Sequence, residues 1–136
     1  METGNRHTRV FPARMSALPE IEGFIADVCV RSGLARAPRF RLSVLVEELF
    51  TNTVRHGHGR DTDEPVVLVL ETVPGRMTAI YEDTAPPHNP FAASSPPPTA
   101  DANVGGVGVR LIAGMSTPEY RYADGKNRIC LVIETS

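Results

Sequence analysis

Apolar residues recur along the chain with two different periods, and the change of period marks where helices give way to strands. Ile21, Phe24, Ile25, Val28 and Cys29 fall at helical offsets, one face of an amphipathic helix that begins beyond Pro19 and stops at Gly33. Pro38 suits the first turn of a second helix, in which Leu42, Leu45, Val46, Leu49, Phe50, Thr53 and Val54 keep helical spacing until Gly57 offers a cap. Beyond it the period falls to two. PVVLVLET (65–72) and RMTAIYED (76–83) are joined by Pro74-Gly75, a pair suited to the centre of a type II turn, and read as a hairpin. PEYRYADGKNRICLVIET (118–135) repeats the arrangement around Asp124-Gly125, with Ile129, Leu131 and Ile133 alternating against Cys130 and Val132. A short edge strand is expected over Val10 to Ala13.

Between the hairpins, residues 84–103 hold six prolines and no lysine or arginine. GGVGVRLIAGM (105–115) follows, where Val104, Leu111, Ile112 and Met115 suggest a short helix. A loop of this length is either functional or disordered. The order helix, helix, hairpin, long loop, helix, hairpin predicts an α/β two-layer sandwich, a mixed, mostly antiparallel sheet with helices packed on one face. At 136 residues, a single domain over 1–136 is expected. The net charge of -2 gives no cationic field for a phosphate backbone, so nucleic acid is not an expected partner. Apolar runs such as Val66 to Leu70 are far too short to span a bilayer. Residues 1–10 lack the apolar core of a secretory signal, so a cytoplasmic location and no membrane contact are expected. Cys29 and Cys130 have no neighbouring cysteine of the kind a metal pair needs, and are expected as buried thiols.

At about 100° per residue, Glu48, Asn52 and His56 form a row along one border of the second helix's apolar face. The row drifts inward until His56 projects between the directions of Leu45 and Leu49. Such a row can line a pocket, or it can be a satisfied core histidine beside two surface polar residues; spacing leaves both open. Glu47 points elsewhere and reads as solvated. HGHGRDTD (56–63) groups histidines with carboxylates, but its glycines and the absence of a recognised ligand spacing favour a turn over a metal cluster. Gly105, Gly106, Val107 and Gly108 open a helix, where free N–H groups can bind a phosphate; flexible-loop glycines explain them equally well. Asp83 ends a strand, where it can face a crevice or serve as an ordinary turn aspartate.

Taken in this order, the three features resemble the Bergerat ATP-binding fold of the histidine-kinase-like ATPase superfamily, shared by DNA gyrase and sensor histidine kinases. EELFTNTVRHGH (47–58) is similar to its N box, EDTAPPHNPF (82–91) to its first glycine box and NVGGVGVRLI (103–112) to its second. The single-domain form, with glutamate four residues before the asparagine and histidine four after, most resembles bacterial anti-sigma-factor serine/threonine kinases. That resemblance implies binding of ATP or ADP with Mg2+, with Glu48 as general base, Asn52 as the magnesium ligand and His56 beside the nucleotide. It also implies that Asp83 takes the adenine amino group, that Gly105 to Val109 wrap the phosphates and that residues 84–103 form a mobile lid. The implied partners are an anti-anti-sigma protein, which is phosphorylated on serine or threonine, a sequestered sigma factor, and a second copy in a homodimer.

Two departures bear on this. Ala85 stands where the first glycine box usually has glycine, and its methyl can crowd adenine. The lid carries no cation, so help with the transferring phosphate falls to Arg55, Arg110, magnesium or a partner chain. Both keep open a nucleotide-dependent partner-binding regulator without kinase turnover. A sensor histidine kinase fits less well, because no helical hairpin with a phospho-accepting histidine fits into the first 35 residues and His7 reads as part of a polar tail.

Overall fold

The computed structural model describes residues 5–89 and 118–134. Both helices begin where proline costs nothing, because a first-turn amide has no intrahelical acceptor. Pro19 lies in the first turn of α1 (Leu18–Ser32) and Pro38 in that of α2 (Arg36–Asn52). Gly33, at a φ of 70°, ends α1. There the Gly33 and Leu34 amides donate to the carbonyls of Val30 and Cys29, while half-buried Leu34 packs on the core. The second helix does not run unbroken to Gly57. After Asn52 it widens into a π turn over Thr53–Gly57, closed by the His58 amide donating to Thr53 O at 2.8 Å.

The hairpins form as the turn residues dictate. β2 (Pro65–Val73) and β3 (Arg76–Asp83) meet at Pro74-Gly75, where Gly75 alone has positive φ, 82°. β4 (Glu119–Ala123) and β5 (Lys126–Glu134) meet at Asp124-Gly125, whose φ values of 56° and 76° are both positive, as a type I′ turn requires. β1 (Asn5–Pro12) is an edge strand, longer than expected, and pairs with β2 from Asn5↔Thr72 to Pro12↔Pro65. His7 therefore lies in a strand and not in a tail. Polar residues are tolerated there because the long side chains cover apolar neighbours: the Arg9 guanidinium sits 5.3 Å from the Phe11 ring and 5.6 Å from that of Phe24.

The sheet order is β1-β2-β3-β5-β4. The two-layer sandwich holds, but among the described strands every ladder is antiparallel, and the parallel pairing of a mixed sheet is not found. The reason is the connection after β1: two successive helices carry the chain away and back, so β2 starts beside the end of β1. Leu68 and Leu70 of β2, Met77 and Ala79 of β3, and Leu131 and Ile133 of β5 point at the helices. They form one core with Ile21, Ile25, Leu42, Leu45 and Phe50. Cys29 belongs to this core, and burial pushes its thiol up to about 11. Cys130 does not: it alternates onto the other face of β5 and is only half-buried. Among the described residues no helix is long and apolar enough to cross a membrane.

Candidate functional site

The inward row of β3 runs Met77, Ala79, Tyr81 and ends on Asp83; the matching row of β5 begins on Asn127 and continues through Ile129. The register pairs Asp83 with Asn127, so two polar side chains meet at one end of an otherwise apolar interior. Thr53, first residue of the π turn, reaches them from the helix layer. Its hydroxyl lies 2.6 Å from Tyr81 OH and 2.6 Å from Asp83 Oδ2, with Leu49 O at 3.0 Å. A threonine has one proton to give, so Tyr81 donates to Thr53 and Thr53 donates to the carboxylate. Burial raises the Tyr81 phenol well above its ordinary range, which keeps it a donor.

Asp83 is 8% exposed. Its Oδ1 accepts from Asn127 Nδ2 at 2.9 Å and from the Ala85 amide at 3.2 Å, and its Oδ2 from Thr53. An ionised carboxylate offers about four lone-pair sites, so three donors leave one acceptor unused among the described residues. Asp83 lines a cavity of about 230 Å³. Leu49, Ala85 and Ile129 supply apolar surface, Pro86, Pro87 and His88 form one wall, and Asn52, His56 and Gly57 bring the end of α2 and the π turn to it. A mostly apolar cavity with an anionic acceptor in its lining suits a heteroaromatic ring that carries an N–H donor.

Of the residues singled out from sequence, Asn52, His56, Asp83 and Ala85 line the cavity. The core-histidine reading of His56 is overturned: the π turn shifts the helical phase, and His56 is exposed. Arg55 is exposed and does not line the cavity. Glu48 is half-buried one turn before Asn52 and also lies off the lining. Burial, then Glu47, raises its carboxyl above the usual range, against an opposing pull from His56. Gly105 to Val109, Arg110 and residues 90–103 of the expected lid lie outside the described residues. Thr53, Tyr81, Tyr120 and Asn127 were not singled out. The sign for Asn127 was present, since it is the one polar member of the inward row of β5.

Asn52 is half-buried and lines the cavity, and its amide oxygen is the kind of ligand that Mg2+ takes. Among the described residues, no group of three His, Cys, Asp or Glu is placed to hold a metal ion. One protein oxygen fits Mg2+, which keeps several waters and takes the rest of its shell from phosphates. The carboxylates of HGHGRDTD are used otherwise: Asp61 accepts from the Met15 amide at 3.0 Å and Asp63 pairs with Arg14 at 2.7 Å, so the segment is a tied-down turn.

Ala85, which belongs to the cavity lining, also abuts Gly57 of the π turn through its methyl. It is 3% exposed, and a Cβ added to Gly57 would lie 2.6 Å from its methyl. The alanine methyl occupies space that the absent side chain of Gly57 leaves open. Gly57→Ala is therefore expected to destabilise the protein by about 1–3 kcal/mol and lower Tm by about 3–10 °C, although alanine is the better helix former by about 1 kcal/mol. In an Ala85→Gly background the same change should be neutral or stabilising. Equal melting temperatures for Gly57→Ala and wild type would contradict the contact.

The model of the histidine kinase-like ATPase domain matches residues 11–133. No curated protein matches. Fifteen chains of known structure do. One holds the RsbU and RsbW domains of Rv1364c from Mycobacterium tuberculosis, with a TM-score of 0.66 at 12% identity over 96% of this chain and 32% of that one. Another is the histidine kinase domain of the blue-light activated histidine kinase EL346 from Erythrobacter litoralis, with a TM-score of 0.55 at 17% identity over 91% and 61%. A third is the Acinetobacter baumannii histidine kinase AdeS, with a TM-score of 0.54 at 17% identity over 96% and 68%. This chain thus spans about a third of the first and less than two-thirds of the second.

Proposed function

The chain belongs to the histidine kinase-like ATPase domain family, and from that premise we propose that it is an ATP-binding anti-sigma regulatory factor. In this reading it transfers the γ-phosphate of ATP to a serine or threonine of an anti-anti-sigma partner, and sequesters a sigma factor as a homodimer. The observation that carries the nucleotide half is Asp83, a buried carboxylate with one acceptor left over at the rim of a largely apolar slot. The exocyclic amino group of adenine supplies the donor that this acceptor lacks, and the slot covers the ring faces. Asn52 would hold Mg2+, which when bound neutralises charge on the phosphates and aligns them. His56, which lines the cavity, would lie beside the nucleotide, and Gly105 to Val109 would surround the phosphates.

Glu48 is the base in this reading. Its raised pKa suits the part, because a carboxylate closer to neutrality accepts a hydroxyl proton more readily. Two further features support the kinase half: the resemblance of 47–58 to the N box of anti-sigma kinases, and the likeness to a chain containing an RsbW domain. A second reading, a nucleotide-dependent partner-binding regulator without turnover, is favoured by Glu48 lying off the cavity lining. Incubation of an anti-anti-sigma protein with γ-labelled ATP separates them. Label on a serine or threonine is expected; tight Mg-ATP binding, nucleotide-dependent partner affinity and no label would select the second reading.

A further inference from the structure

The expected lid begins at Thr84, yet its first residues are fastened on three sides. The Thr84 hydroxyl donates to Glu64 Oε1 at 2.7 Å. Three main-chain groups of the next four residues end on a single side chain, that of Asn127, which is 4% exposed. Its Nδ2 lies 2.9 Å from Ala85 O and 3.1 Å from Pro86 O, besides donating to Asp83. Its Oδ1 accepts from the His88 amide at 3.0 Å and from the Tyr120 hydroxyl, which itself lies 3.1 Å from the His88 amide. Pro86 and Pro87 have no N–H, so Ala85 and His88 carry the only main-chain donors between residues 85 and 88. Both are satisfied, one by Asp83 and the other by the Asn127–Tyr120 pair. On the opposite side the Ala85 methyl is wedged against Gly57.

We infer that Ala85–His88 is a preformed wall of the slot and not part of a moving lid, and that Asn127, held by Tyr120, is the positioning residue that sets this wall and the Asp83 carboxylate together. A ligand then meets a surface already ordered, and its binding energy is not spent on ordering it. The inference rests on the nucleotide reading for its ligand but not for its geometry.

Asn127→Asp provides the sharpest test, because it is isosteric and exchanges a donor for an acceptor. At pH 8 two carboxylates would face each other, and ATP affinity should fall by about tenfold to a hundredfold. At pH 5.5 a proton shared by the pair restores a donor toward Asp83, and most of the affinity should return. The titratable groups around this point are Asp83 and Tyr81 on β3, His56 on the π turn, His88 on the wall and Tyr120 on β4. Wild type measured at both pH values removes the histidine contribution. Asn127→Ala should lose affinity equally at both, and Tyr120→Phe should lose less.

Hydrogen exchange reads the clasp without any ligand. The His88 amide should be protected in wild type and exchange at least about tenfold faster in Tyr120→Phe and in Asn127→Ala. Wild-type protein that fails to bind ATP while its His88 amide stays protected would sink the nucleotide reading and leave the clasp standing. An unprotected His88 amide in wild type, or an Asn127→Asp loss that is the same at both pH values, would overturn the clasp.

Discussion

Glu48→Gln is expected to lower γ-phosphate transfer to the partner by about 10²- to 10⁴-fold, while Mg-ATP affinity stays within about threefold of wild type. The split follows from position: Glu48 lies off the cavity lining, so its loss removes a proton acceptor and not a binding contact. The pH dependence has a defined sign. Burial and Glu47 raise the folded-state pKa of Glu48 above its unfolded value of 4.5. Its contribution to stability is thus fully present below that value and is lost as pH rises through the folded pKa. Glu48→Gln, which cannot ionise, should melt above wild type at pH 8 and gain nothing at pH 4. Transfer by wild type should rise with pH across the same window as the base form appears. A variant that transfers phosphate at the wild-type rate would remove Glu48 from the chemistry and return the regulator without turnover as the better reading.

The elements that the sequence revealed most plainly are those whose signal is local. Gly33, Pro74-Gly75 and Asp124-Gly125 each demand a backbone conformation, and the structure provides it at each. The alternation of Ile129, Leu131 and Ile133 identifies the inward face of β5 correctly. What was not legible depends on distant partners. Nothing local announces the π turn, so extending a regular helix past Asn52 turned His56 into the apolar arc when it is exposed. Thr53 read as one more position of that arc, although its hydroxyl ties Tyr81 to Asp83. The packing of Ala85 was not legible because its complement, Gly57, sits on another element. Asn127 is the case where more was available: a polar residue in an inward row next to a strand-end aspartate is a buried pair in waiting.

This division has a functional side. The residues to which the proposed function assigns selectivity are polar groups buried where the sheet's apolar rows end, and among the described residues Asp83 accepts from Thr53, Ala85 and Asn127 with one acceptor site left over. A buried acceptor without a donor is unfavourable in the free protein and becomes favourable when a ligand supplies one. In the proposed function, that difference would give selectivity for a ring with an amino group over one with a carbonyl at the same place.

Calorimetric titration with Mg-ATP, wild type against Asp83→Asn, tests this most directly. Asparagine keeps the size of the side chain and its place beside Asn127, but replaces the anionic acceptor, so affinity should fall by about 10- to 150-fold, the loss of a hydrogen bond to a charged group. Replacing ATP by inosine triphosphate should weaken binding to wild type and affect the variant much less. Binding of ATP by Asp83→Asn as tight as by wild type, or equal affinity of wild type for the two nucleotides, would contradict the assignment of Asp83 as the base-reading group.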